Sequence, residues 1–317
     1  MKGAIIMKTI DIGKQNFHAS ELILGCMRIN ALNVDEADHL IMNAFNAGIN
    51  IFDHSDIYGG GRCEELFGEV LENHKDLRDK IIIQSKCGIV KNAYGMITHF
   101  DFSRDHIVKA VEDSLRRLKV EYLDSLLLHR PDTLMEPQEV AEAFDILYTS
   151  GKVKHFGVSN QNVRQIELLK TCVKQPLCIN QMQMSIAECG MIAQGLNTNM
   201  TNKLSVMHED GILEYSRMNN MTIQAWSPFQ YGFFEGTFID DPKFEELNAC
   251  LDKYAKNYGV AKTAVAVAWI LRHPARMQVI VGTTNYRHLN EILGFDKVEL
   301  DREAWYEIYR AAGHTLP

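Results

Sequence analysis

Asn50-Ile-Phe-Asp-His-Ser-Asp-Ile-Tyr-Gly-Gly-Gly61 places an acid and a phenol directly beyond a short apolar run. The run ends at Asp53, Tyr58 follows in the next loop, and three glycines then break the chain. An acid in that position is, taken alone, more often a turn former or helix cap than a reactive group. The rest of the chain changes that reading, because the pattern recurs. Short apolar, often β-branched runs lie at 22–27, 48–53, 80–86, 122–129, 153–160, 177–183, 222–227 and 278–282. Each has the length and composition of a buried strand.

Amphipathic stretches separate these runs. Residues 35–48 start on Asp35, an N-cap type, and stop at Gly48. A second stretch opens at Pro137 and closes at Gly151, with proline at a helix start and glycine at its end. Ile107, Val111, Leu115 and Leu118 share one face of 103–118, with charges on the other. Further helices are expected at 162–172, 209–219, 243–258, 263–273, 285–293 and 301–312. Eight strand–helix alternations predict a parallel sheet with helices outside it. At 317 residues they favour a closed (β/α)8 TIM barrel, which takes about 250 residues or more. Residues 8–17 alternate weakly and are expected to form an N-terminal β-hairpin capping the barrel floor. The polar, Asn- and Met-rich segment 185–208 is expected to be a long loop, suited to a substrate lid. Without a linker or repeat, residues 1–317 read as one domain.

Composition narrows the function. Hydrophobic residues make up 46% and charged residues 23%, an ordinary globular balance. The net charge of −8 carries no basic run able to follow a phosphate backbone, so nucleic acid is not an expected partner. No run approaches a membrane span, and residues 1–8 lack the apolar core of a signal peptide. Seven scattered cysteines without a C-x-x-C pair read as reduced thiols of a cytoplasmic protein and argue against a zinc site; no metal is expected. Gly59-Gly-Gly61 lacks the spacing of a phosphate loop and reads as a flexible turn. His54-Ser-Asp56 reads as a polar loop rather than a metal site, Cys87 as a bystander thiol, and Trp269 and Trp305 as core.

In a (β/α)8 barrel, chemistry sits at the carboxyl ends of the strands. Those ends carry Asp53, Lys86 and His129, with Tyr58 in the loop beyond Asp53. A phenol of pKa about 10 exchanges protons poorly near neutrality. An adjacent ammonium is expected to lower that value by roughly 1–3 units. Asp53 would hold Lys86 charged, and His129 would orient a carbonyl oxygen by donating to it. Such a site protonates an oxygen that becomes negative as hydride reaches its carbon, a step where a general acid is worth about 10²–10⁴ in rate.

The chain resembles the aldo-keto reductase superfamily, in its bacterial NADP-dependent oxidoreductase branch, over nearly its whole length. The matching motifs are Gly48-x4-Asp53-x4-Tyr58-Gly59, Ser85-Lys86, Leu128-His129, Gly157-Val-Ser-Asn160, Asn180-Gln181, Ala225-Trp-Ser-Pro-Phe229 and Val281-Gly-Thr-Thr284. The resemblance implies a catalytic tetrad of Asp53, Tyr58, Lys86 and His129, with Tyr58 as general acid in the reduction of aldehydes or ketones. It implies that Ser159, Asn160 and Gln181 grip the nicotinamide carboxamide and that Trp226 stacks on the ring. Ser227, Pro228 and Phe229 then lead toward the pyrophosphate, while Gly282, Thr283 and Thr284 hold the adenosine phosphate. Many members carry an arginine where this chain has His288; here Arg287 precedes it, and Glu291 keeps the acid of an acid–amide pair whose amide is lost. NADP, as NADPH, is the expected cofactor, with NAD second, and the expected partner is a small carbonyl substrate. Two rival readings are a nicotinamide-nucleotide-sensing regulatory subunit with little turnover, and a lyase using Lys86 as a Schiff base. The lyase leaves the motifs from Ser159 to Thr284 without a role.

Overall fold

The computed structural model describes residues 7–317. The first six residues, part of the segment read above as lacking a signal-peptide core, lie outside the described residues. Counting barrel strands only, β1 to β8 are Leu22–Gly25, Ile51–Asp53, Ile82–Cys87, Leu123–Leu128, Val153–Ser159, Leu177–Gln183, Thr222–Trp226 and Met277–Val281. Every neighbouring pair is parallel, β8 returns to β1, and the sheet closes as a (β/α)8 barrel. The helices α1 to α5 are Val34–Asn46, Arg62–Asn73, Arg104–Leu118, Pro137–Thr149 and Val163–Lys170. They continue as α6 Gly190–Leu196, α7 Ile212–Met218, α8 Glu245–Tyr258, α9 Lys262–Leu271, α10 Tyr286–Ile292 and α11 Arg302–Ala311.

The floor is closed as expected, by an antiparallel hairpin of Thr9–Ile12 and Phe17–Ser20. Its turn is anchored where Gly13 N–H donates to Thr222 Oγ1 at 3.2 Å, and Phe17 stacks on His155 at the start of β5, 4.2 Å away. Above it, Ile23, Ile51, Leu127, Ile179 and Ile280 from five strands form one apolar cluster with Ile12 and Phe17. The larger apolar core lies between the barrel and its helices. Trp269 and Trp305 belong to it, stacked 4.6 Å apart, each indole N–H donating to the other's carbonyl at 3.0 Å.

Several elements depart from the sequence reading. Helix α1 is capped by Asn33, not Asp35: Asn33 accepts from Glu36 N–H, and the Glu36 carboxylate accepts from Asn33 N–H. Asp35 then lies in the first turn, where its charge favours the helix dipole. Helix α2 was not expected, because no capping side chain opens it; it follows Gly61 at φ +95°. Gly59, Gly60 and Gly61 all hold positive φ, the left-handed conformation that glycine adopts most readily, so the triplet forms a turn as expected. A Cβ on Gly61 would fall 2.8 Å from Arg117 Cδ. The first half of segment 185–208 contains the short helix α6 and buries Ile186, Met191 and Ile192, while the second half stays a largely exposed loop, as expected. An additional antiparallel hairpin, Ile89–Lys91 with Ile97–Phe100, follows β3.

Helices α2 and α3 are tied to β3 by a buried carboxylate. Ser85 Oγ–H donates to Glu64 Oε1 at 2.6 Å, while Arg117 Nε and Nη2 reach Glu64 Oε2 at 2.8 and 2.7 Å. Glu64 is fully buried, so removing its cation strands a charge away from water. Arg117→Ala is expected to cost about 3–5 kcal/mol, read as a lower urea midpoint at unchanged slope. A loss below about 1 kcal/mol, the size of a surface pair, would contradict this account.

Candidate active site

Side chains in the barrel alternate inward and outward, and inward positions at the upper strand ends converge on one axis. Asp53 ends β2, Lys86 lies on β3, and His129 follows β4. Lys86 Nζ donates to both Asp53 oxygens at 2.8 and 2.7 Å and to the His54 carbonyl at 2.6 Å. The same ammonium lies 4.9 Å from the centre of the Tyr58 ring. His129 meets that ring edge-on, with centroids 5.9 Å apart. The structure thus brings together all four residues expected from the strand ends.

Their protonation follows from burial. Burial works against the Lys86 ammonium, but Asp53 and then Tyr58 together offset it and raise its pKa. Burial pushes the Tyr58 phenol up to about 12, with Lys86 pulling the other way. This reverses the expected net effect of the lysine: desolvation of a phenolate outweighs an ammonium whose field Asp53 largely cancels. Tyr58 therefore keeps its proton at neutral pH. Burial, followed by the charge on Lys86, holds the His129 pKa well below its usual range, so the imidazole is neutral. Cys87 is buried and its thiol is pushed well above normal by burial and then by Asp56, consistent with an inert bystander.

The residues read as cofactor ligands fall into three groups. Ser159, Asn160 and Trp226 form a bonded cluster beside His129. Ser159 Oγ–H donates to the Gln181 carbonyl at 3.0 Å, Asn160 Nδ2 donates to Ser159 Oγ at 2.8 Å, and Trp226 Nε1 donates to Asn160 Oδ1 at 3.1 Å. Gln181 turns elsewhere: its Nε2 donates to Asp53 Oδ1 at 3.0 Å and Gln224 Oε1 at 3.2 Å. Ser227 follows Trp226 at φ +54°, and Pro228 and Phe229 continue along the rim beside Phe233 and Phe234, which pack on Trp226. Beyond β8, a Cβ on Gly282 would meet nothing within 4 Å, and the Thr283 hydroxyl accepts from Asn285 N–H at the start of α10. Arg287, His288 and Glu291 lie exposed on α10, and Glu291 borders a cavity of about 500 Å³ with Lys256, Lys262 and Thr263.

Sequence reading missed a column of buried glutamines beneath the site. Gln84 Nε2 donates to Asp53 Oδ1 at 2.6 Å and to Gln224 Oε1 at 2.8 Å. Gln224 Nε2 donates to Gln278 Oε1 at 3.0 Å, and Gln278 Nε2 to the Ser20 carbonyl at 2.7 Å. Part of the signal was available: Gln224 and Gln278 each interrupt a largely apolar strand. His54 was read as part of a polar loop, yet it is fully buried against Phe67 and neither ring nitrogen has a partner. Among the described residues, no cluster of three or more His, Cys, Asp or Glu side chains is arranged to hold a metal.

The Aldo/keto reductase family model matches residues 21–312. The chain belongs to the aldo/keto reductase family. Among relatives of this aldo/keto reductase, the uncharacterized oxidoreductase YcsN of Bacillus subtilis is 34% identical, covering 96% of this chain and 98% of its own. The 6-dehydroglucose reductase of Agrobacterium fabrum is 35% identical, covering 92% and 94%. The glycerol dehydrogenase of Gluconobacter oxydans shares the fold, with TM-score 0.78 at 24% identity over 98% of this chain and 96% of its own.

The buried His54 is expected to make this aldo/keto reductase acid-sensitive. Burial, then Lys86, lowers its pKa from 6.5 to about 3. The unfolded chain takes up the proton near 6.5, so this contribution is whole above that pH and lost as pH falls toward about 3. His54→Leu is expected to flatten the fall in urea midpoint across that window. Equal acid losses in both proteins would contradict the assignment.

Proposed function

We propose that this protein reduces aldehydes or ketones by hydride transfer from a nicotinamide cofactor, with NADPH preferred and NADH second. The observation that carries the reading is Lys86 Nζ, fixed by both oxygens of Asp53 and the His54 carbonyl beneath the protonated Tyr58. When bound, the cofactor supplies the hydride that reaches the carbonyl carbon. Tyr58 donates its proton to the carbonyl oxygen, and Lys86 stabilises the phenolate left behind. Asp53 keeps Lys86 charged and in place, and His129 donates to the same oxygen to orient it.

The rim over β5 to β8 fits such a cofactor. Trp226 offers an indole ring beside the Ser159–Asn160 amide and hydroxyl groups, the arrangement a nicotinamide carboxamide needs. Ser227, Pro228 and Phe229 would lie along the pyrophosphate. Gly282, Thr283 and Thr284 present open backbone and hydroxyls for phosphate. The cavity at Glu291, lined by Lys256 and Lys262, would take the adenosine end, and these cations, with Arg287 and His288 exposed on the same helix as Glu291, would favour a 2′-phosphate. Gln181 contributes its remaining Oε1, since its amide N–H groups serve Asp53 and Gln224.

Among carbonyl compounds we favour hydroxylated, sugar-like aldehydes. The name of the Agrobacterium relative supports this, as does the Arg130 guanidinium, half-buried over Trp226 and Phe233 at 5.7 and 5.4 Å with no carboxylate partner among the described residues. We further propose that residues 1–317 act as one domain in the cytoplasm, supported by seven unpaired cysteines and the oxidoreductase relatives. No helix among the described residues is long and apolar enough to cross a membrane.

Tyr58→Phe tests this reading. With NADPH and a reactive aldehyde, kcat is expected to fall by about 10²–10⁴, while the cofactor still quenches tryptophan fluorescence. Undiminished turnover would remove Tyr58 from the proton-donor role.

A further inference from the structure

Behind His129 lies a hydrogen-bonded chain that the tetrad does not use. Ser55 Oγ is 3.1 Å from His129 Nδ1 and 3.1 Å from Asp56 Oδ1. Its other contacts, with the Lys86 carbonyl and Ile57 N–H, are longer at 3.4 Å. Ser55 is fully buried, so water does not compete for its single proton. We infer that Ser55 and Asp56 form a relay that sets which nitrogen of His129 carries the imidazole proton, and so act as positioning residues for carbonyl reduction. This rests on the reading of His129 as the group that donates to the carbonyl oxygen.

The logic is one of donor counting. An ionised Asp56 only accepts, so Ser55 must donate to it; Ser55 Oγ then accepts from His129 Nδ1–H, and Nε2 is left bare. A bare Nε2 repels a carbonyl oxygen. With Asp56 protonated, its O–H donates to Ser55, Ser55 donates to Nδ1, and the imidazole proton moves to Nε2, where it can meet the substrate. The imidazole is neutral in both states; only the site of its proton changes.

The surroundings of Asp56 put that change within reach. Burial raises its pKa to about 7, helped by Glu64 on α2 and opposed by Ser55, by Arg117 on α3 and by Ile57 N–H. Arg117 is itself engaged with Glu64, and Lys86 on β3 is engaged with Asp53, so neither is free to hold Asp56 ionised. The Cys87 thiol on β3 also faces it and stays protonated. His129 is held neutral by burial, so it adds no competing titration in this range.

The test is ¹⁵N spectroscopy of the full-length protein labelled at histidine, with His129 assigned by its loss in His129→Asn. The Nδ1 and Nε2 shifts of His129 are expected to exchange protonated and bare character across a midpoint near about 7. Ser55→Ala breaks the chain and Asp56→Asn removes the titration, so each is expected to abolish the exchange. In turnover, kcat/KM for reduction is expected to fall roughly tenfold per pH unit above the midpoint in the unmodified protein and to stay flat in Asp56→Asn. A single tautomer throughout, or an exchange that survives in Ser55→Ala with the same midpoint, overturns the relay. The spectrum does not depend on turnover. If the exchange is present while Tyr58→Phe retains full activity, the reductase reading fails and the relay stands.

Discussion

One buried ion pair organises the upper barrel. Lys86 and Asp53 are both shielded from water, at 0% and 3% side-chain exposure, and two such charges are tolerated only when further hydrogen bonds compensate the lost hydration of each. The chain meets that condition from three directions. The His54 carbonyl takes a further proton of the ammonium, while Gln84 and Gln181 donate to the carboxylate. Gln84 and Gln181 must then be fixed in turn, which Gln224 and Ser125 do, and Gln278 ties Gln224 to the floor through Ser20. A barrel interior usually packs layers of branched apolar side chains. Here an apolar cluster shares the interior with a polar column that runs from the hairpin to the rim. Networks of this kind are stiff when complete and costly when broken.

The chemistry proposed for the site follows from this stiffness. A lysine free to move would be a general surface cation; held by three oxygens, it is a fixed positive charge under a phenol that burial keeps protonated. His129, neutral for the same reason, adds a second donor without adding charge. Proton donation then needs no large rearrangement, since the compensating charge is already in place when the carbonyl oxygen becomes negative.

Much of this was legible in the residues. The eight strands stand out because strands buried on both faces are continuous apolar runs, and a polar residue closing such a run is conspicuous; this exposed Asp53, Lys86 and His129 together. Helix α2 was hidden because glycines, not a capping side chain, introduce it. The Ile89–Lys91 hairpin was hidden because it is two-sided and largely exposed, without clear alternation. Helix α6 was hidden inside a polar segment in which Ile186, Met191 and Ile192 are packed while Met200 and Met207 stay exposed. The glutamine column escaped notice because glutamine is not a reactive residue and its importance lies in partners contributed by other strands. The sign of the Tyr58 shift was also beyond the sequence, which shows that a lysine is near but not how much water the fold removes.

The Asp53–Lys86 pair is proposed to serve the chemical step rather than cofactor binding or folding alone. Its most direct test is Asp53→Asn, a change of charge at nearly constant shape, followed by single-turnover oxidation of bound NADPH with saturating aldehyde. The account predicts that the rate of the chemical step falls by about 10² or more, with the cofactor Kd changed less than about threefold. Hydride transfer at an unchanged rate, or a loss confined to cofactor affinity, would contradict it.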